Sequence, residues 1–77
     1  MLTVYTKNNC PNCVQAKNIL KMKNIDFEEV NVEENEAAYL FLQLEGHKSL
    51  PQIYKDKNLF VSNGQLGLLR MLREGKL

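Results

Sequence analysis

The spacing of apolar residues changes several times along this chain, and each change marks a new element. Residues 2–6, LTVYT, form a nearly continuous apolar and β-branched run, the pattern of a central strand covered on both faces by helices. From Pro11 the period lengthens. Cys13, Ala16, Ile19 and Leu20 fall on one face and Lys17 and Lys21 on another, glycine is absent, and proline stands in its favoured first turn, which predicts an amphipathic helix. Residues 26–32, DFEEVNV, set Phe27, Val30 and Val32 among carboxylates and read as a second strand. Asn31 to Glu36 then supply capping candidates and glutamates for the positive end of a second helix, AAYLFLQLE. Its core stripe is expected from Leu40, Phe41 and Leu44, and Gly46 is placed to close it. Two short runs, QIY and LFV, flank Lys55, Asp56, Lys57 and Asn58 as a hairpin. The last segment, QLGLLRMLREG, places Leu66, Leu69 and Leu68 or Met71 at helical spacing, with Arg70, Arg73 and Lys76 toward the end that favours cations.

The predicted order is β-α-β-α-β-β-α, an α/β arrangement without repeats, linkers or low-complexity segments, so residues 1–77 are expected to form one domain. Crossover connections are expected to make the first strands parallel and the hairpin to add an antiparallel edge. Hydrophobic residues make up 44% and charged residues 25%, a globular balance. A net charge of +1 provides no field for nucleic acid. No stretch approaches the roughly 18 apolar residues of a membrane span, and MLTVYTK lacks the pattern of a secretory leader. A cytoplasmic protein that binds neither membrane nor nucleic acid is expected.

Candidate chemistry is concentrated in KNNCPNCVQA, residues 7–16, which holds both cysteines. In a reducing compartment such a close pair is more often catalytic or metal-binding than structural. A structural zinc site takes four ligands, and apart from the pair the only good donor is His47. Attachment of haem would need histidine where Val14 stands. A static disulfide remains as an alternative. If Pro11 starts the helix, Cys10 lies at its N-terminus, where free N–H groups and the macrodipole favour a thiolate. Cys13 then lies one turn inside, more buried and within disulfide reach. Lys7 adds positive charge nearby.

The stretch YTKNNCPNCVQAK resembles the active-site segment of dithiol glutaredoxins, which commonly reads YTK, a short linker, CPYC and a helix. About forty residues on, GHKSLPQIY resembles that family's Gly-x-x-Thr-Val-Pro-Gln-Val-Phe. The two motifs and the element order cover essentially the whole chain. The resemblance implies a thioredoxin-like fold, with a central four-stranded mixed sheet flanked by three helices. It also implies a monomer without a tightly bound cofactor that reduces disulfides through Cys10 as nucleophile and Cys13 as resolving thiol, with glutathione as reductant or co-substrate. Partners would be disulfide-bearing proteins such as ribonucleotide reductase. It implies that Leu50-Pro51 is cis beside the cysteines, so that the Leu50 backbone can pair with glutathione, and that Lys7 and Lys48 grip the glycine carboxylate, a role His47 could also fill. Asn12 stands where tyrosine is usual, which removes an aromatic wall but keeps a hydrogen-bonding group, and it is expected among the glutathione-binding residues.

The third family motif, Gly-Gly followed by a residue and an acidic pair, is absent. Without gaps, Val61 and Ser62 take the glycine positions and Gly64 and Gln65 the acidic ones, and a shift that puts Asn63 and Gly64 on the glycines still brings no carboxylate. Asn63, Gly64 and Gln65 could therefore offer the γ-glutamyl end only neutral contacts. This leaves two rivals: a glutaredoxin-like redoxin reduced by thioredoxin reductase, and an iron-sulfur or metal carrier bridged through Cys10, against which Pro11 counts. The glutamates at 28, 29, 33, 34 and 36 read as solvated or dipole-complementing, and Lys17, Lys21 and Lys23 as a helix edge facing acidic partners.

Overall fold

A computed structural model describes residues 1–77. The elements are β1 (Leu2–Thr6), α1 (Pro11–Met22), β2 (Phe27–Asn31), α2 (Glu36–Leu44), β3 (Gln52–Lys55), β4 (Asn58–Val61) and α3 (Gly64–Arg73). Their order is the predicted one. The strands form one sheet in the order β2-β1-β3-β4. β1 is central: it pairs parallel with β2, Thr6 opposite Asn31, and antiparallel with β3, Val4 opposite Ile53. The second crossover thus returns its strand antiparallel, and β1–β2 is the one parallel pair among three.

Each face of the sheet carries its own core. On one, Leu2, Val4 and Ile53 meet Ala16, Ile19 and Leu20 of α1 and Leu68 of α3. On the other, Tyr54 and Val32 meet Ala38 and Leu42 of α2, with Tyr5, Val30 and Phe41 packed around them. Tyr5, Phe41 and Tyr54 form a ring cluster with centroids 5.3 to 5.8 Å apart; Tyr54 meets both partners edge to face, positive edge against negative face, and Tyr5 and Phe41 are tilted against each other at 38°.

Two helical stripes differ from expectation. In α2, Leu40 is 48% and Leu44 87% exposed, and Ala38 and Leu42 face the sheet instead. Nearly every position from 37 to 44 is apolar, so periodicity does not single out a face; of the expected stripe Phe41 packs against the core, while Ala38 and Leu42 take the contact with Tyr54 and Val32. In α3, Leu66 is exposed and Leu68 is buried, because Gly64 and Gly67 fix which side lies against the sheet. A Cβ on Gly67 would overlap the Ser62 carbonyl and the Val61 side chain, so glycine there lets α3 pack down on the end of β4.

The Tyr54 hydroxyl donates to Glu45 at 3.1 Å and therefore accepts from His47 Nε2 at 2.7 Å, tying the end of α2 to β3. Burial first, then the hydrogen bond to Glu45 and the charges of Glu45 and Tyr5, push the Tyr54 pKa up to about 12. Stability linked to the neutral phenol is complete below the ordinary value of 10.0 and is lost as pH rises toward about 12, a loss of about 2–3 kcal/mol. Urea unfolding across that range should show a steeper decline in the wild type than in Tyr54→Phe, which cannot ionise. Burial and then Glu28 also raise Tyr5, so some decline remains in both. Parallel declines in the two proteins would remove Tyr54 as the cause.

Candidate active site

The site lies where β1 ends and α1 begins. Asn9 takes a left-handed φ of 53°, which turns the chain sharply after the strand. Cys10 then acts as N-cap of α1 in extended conformation, and Pro11 occupies the first helical position, where its missing N–H costs nothing. Cys10 Sγ accepts the Cys13 N–H at 3.1 Å, and the Cys10 carbonyl accepts from the N–H groups of Cys13 and Val14. There is no acidic residue in the first turn of α1, so the positive end of the helix faces the sulfur uncompensated. Cys10 and Cys13 are joined as a disulfide with Cα atoms 5.2 Å apart. Cys10 is 7% and Cys13 2% exposed.

A second segment meets this junction from across the sheet. The Leu50–Pro51 peptide is cis, and the Leu50 carbonyl lies 3.9 Å from Cys10 Sγ. Once the disulfide is reduced, that carbonyl can accept a thiol proton. The Leu50 N–H, in the bend before β3, has no partner within the protein, which leaves a backbone donor open beside the sulfur. Gly64, at the start of α3 with φ 52°, packs so close to the Pro51 carbonyl that a Cβ there would overlap it.

The fold brings Lys7, Cys10, Cys13, Leu50 and Pro51 together. Lys7 lines two hollows. One, of about 580 Å³, also contains Thr6, Cys10, Cys13, Lys17 and Glu29. The other, of about 640 Å³, runs past Leu50 and Lys48 to Tyr39 and Leu42 on α2. Lys48 therefore shares a groove with Lys7. His47 does not stand free, since its Nε2 is held by Tyr54. Asn12 is exposed on the first turn of α1 and lines neither hollow. Asn63 and Gln65 flank Gly64 at the start of α3, and the Gln65 amide donates to Gln15 on α1 at 3.3 Å. No three metal-ligating side chains gather anywhere.

Other residues around the site were not legible as site residues. Asn31 donates to Asn8, Asn8 donates to Glu33, and the Glu33 N–H returns to Asn31, which ties the loop before Cys10 to the end of β2. Glu29 is not simply solvated. It accepts from Thr6 at 2.8 Å and from Lys17 at 3.0 and 3.1 Å. Those bonds, Lys17 first, outweigh desolvation and hold its carboxyl below the usual range. Lys17 is accordingly committed to an ion pair and does not project as free charge toward a partner. Strand parity offers the available signal: Thr6 shares the α1 face with Leu2 and Val4, and Glu29 stands opposite Val4.

Comparison with known proteins is consistent with this geometry. Residues 2–60 match the family model described as Glutaredoxin. The chain is 35% identical over 79 residues to glutaredoxin 1 of Rickettsia conorii, covering 99% of this chain and 76% of that one. It is 37% identical over 60 residues to the glutaredoxin-like protein NrdH of Lactococcus lactis, covering 78% of this chain and 83% of the relative. Among solved structures, the glutaredoxin-like NrdH-redoxin of Escherichia coli superimposes with a TM-score of 0.71 at 26% identity, over 84% of this chain and 90% of that one. With the thioredoxin-like fold, the CxxC pair at the head of α1 and this extent of match, the chain belongs to the glutaredoxin family of thiol-disulfide oxidoreductases.

Proposed function

We propose that this protein reduces protein disulfides or glutathione mixed disulfides through a two-step dithiol exchange, working in the cytoplasm with proteins such as ribonucleotide reductase among its partners. The observation that carries the proposal is the placement of Cys10 as N-cap of α1, bonded to a more buried Cys13 and next to the open Leu50 N–H. The helix terminus favours a thiolate at Cys10, which attacks the substrate disulfide and forms a mixed disulfide. Cys13 then attacks Cys10 Sγ and releases the reduced substrate. A peptide substrate would align along the Leu50 backbone as an added strand, and Lys7 and Lys48 would attract a carboxylate on it. Alkylation of the reduced protein at neutral pH should label Cys10 before Cys13 in peptide maps. Cys10→Ser should abolish turnover, whereas Cys13→Ser should accumulate mixed disulfides while retaining single-thiol exchange with glutathionylated substrate. Preferential labelling of Cys13 would reverse the roles.

A second reading keeps this chemistry but changes the electron donor to a thioredoxin reductase. The absence of any acidic side chain at the start of α3 favours it, and the E. coli NrdH-redoxin is described as having a thioredoxin-like activity profile. Glutathione would meet only Asn63, Gln65 and the first N–H groups of α3 at its γ-glutamyl end, and losing a charge-assisted contact would weaken binding by roughly 1 to 3 kcal/mol. Gly64 lacks room for a side chain, so Gln65 is the position at which charge can be restored. Gln65→Asp should improve apparent affinity for a glutathionylated peptide by up to roughly tenfold, equivalent to about 1.4 kcal/mol. An unchanged affinity, with reduction of the wild type by thioredoxin reductase alone in a coupled assay, would select the redoxin reading.

A further inference from the structure

A formal charge of +1 conceals a separation of charge between the two ends of the sheet. The cysteine end holds Thr6, the last residue of β1, and the Leu50–Pro51 loop. At the other end β1 begins, with Leu2 registered on Phe27 and Lys55, and the close of α1, the start of β2 and the β3–β4 turn lie beside it. α3 ends there too, because it starts against Pro51 and runs alongside α1, with Gln65 bonded to Gln15 near the start of both helices. This end therefore collects Lys21 and Lys23 from α1 and Lys55 and Lys57 from the hairpin. With Arg70, Arg73 and Lys76 from the close of α3, it carries seven of the ten cationic side chains, all of them exposed. Of the seven, only Lys76 is within ion-pair distance of a carboxylate, Glu74 at 3.4 Å.

Asp26, Asp56 and Glu74 share this end, which leaves a balance of +4, and the remaining three cations and six carboxylates balance at −3. The first of those six along β2, Glu28, is registered on Thr3 and lies on the α2 face of the sheet. The macrodipoles of α1 and α3 account for Lys21, Arg70 and Arg73. They do not account for Lys55 and Lys57, which belong to no helix. Two large apolar side chains are also exposed here, Met1 at 71% and Met22 at 61%, and no aromatic ring is.

We propose that this end docks on an anionic phospholipid surface and holds the protein there with Cys10 directed away from the lipid. The five residues of β1 separate the basic end from the cysteine junction, so the one can be occupied while the other stays open. Clusters of roughly four to eight Lys and Arg are drawn to anionic head groups. The two methionines add flexible apolar side chains that enter the boundary between head groups and acyl chains. A nucleic acid would gain from exposed rings for stacking or from helix N-termini on its phosphates, and this end offers helix C-termini and no exposed ring. No helix is long and apolar enough to cross a membrane, so the attachment is peripheral and salt-sensitive. Net charge misses such a surface because it sums over both ends.

Sedimentation of the whole chain with lipid vesicles tests this. Vesicles of phosphatidylglycerol in phosphatidylcholine should carry the protein down at low salt and release it as sodium chloride is raised toward about 1 M, where the screening length falls to about 3 Å. Vesicles of phosphatidylcholine alone should leave it in solution. Combining Lys23→Gln, Lys57→Gln and Arg73→Gln should weaken binding by at least roughly thirtyfold, with disulfide reduction in solution unchanged. Met22→Gln should weaken it by roughly threefold or more at every salt concentration. Lys48→Gln, at the cysteine end, should bind as the wild type does, and iodoacetamide should alkylate reduced Cys10 as fast on the vesicles as in solution. Failure to bind the anionic vesicles, equal binding to both kinds, an unaffected triple variant, or shielding of Cys10 on the vesicles would each overturn the proposal. So would displacement from the vesicles by duplex DNA at equal phosphate together with no effect of Met22→Gln, an outcome that assigns this end to nucleic acid.

Discussion

Helix α1 starts on a sulfur atom. An N-cap is ordinarily an oxygen that satisfies N–H groups the helix cannot pair internally, and here Cys10 Sγ accepts the Cys13 N–H in that role. The lone pairs that cap the helix are the ones available for nucleophilic attack, so helix stability and thiolate stability increase together. The surrounding parts keep this sulfur in register. β1, paired on both sides, delivers it to the end of the sheet, Asn9 turns the chain, and the Asn31–Asn8–Glu33 bonds hold the intervening loop.

The sheet separates this chemistry from the rest of the stabilising core. α1 and α3 share the face below the cysteines, and α2 covers the opposite face with an aromatic cluster that does not line the hollow beside Cys10. The two faces meet at the cis-proline loop. Its Leu50 packs into the α2 core while its Pro51 carbonyl carries the start of α3. A change in the α2 packing thus has a short mechanical route to the peptide edge beside Cys10, through one loop and without crossing the sheet.

Legibility in the sequence followed how local each signal was. The cysteine spacing, the proline after Cys10 and the SLPQIY segment each depend on a few adjacent residues, and element order follows from changes of period. The face of α2 was not legible. Tyr39, Leu40, Phe41, Leu42 and Leu44 are all apolar, and Tyr54, which meets the buried one, is ten positions beyond the last. Glu29 was misread for a related reason: a carboxylate in an alternating strand looks solvated until β2 is known to lie at the sheet edge beside Lys17. Gly64 appeared to be an open position for an acidic side chain, and only its contact with Pro51 closes it.

The aromatic cluster on the α2 face has an optical consequence. The chain contains no tryptophan, and of its three tyrosines Tyr5 and Tyr54 lie edge to face in that cluster while Tyr39 is half exposed on α2. Its tyrosine fluorescence and the tyrosine band of its dichroism therefore come from chromophores on the side of the sheet away from α1. A spectroscopist following the native aromatic signal would be watching the packing of α2, and would see loss of tertiary structure there even while the cysteine junction kept its geometry.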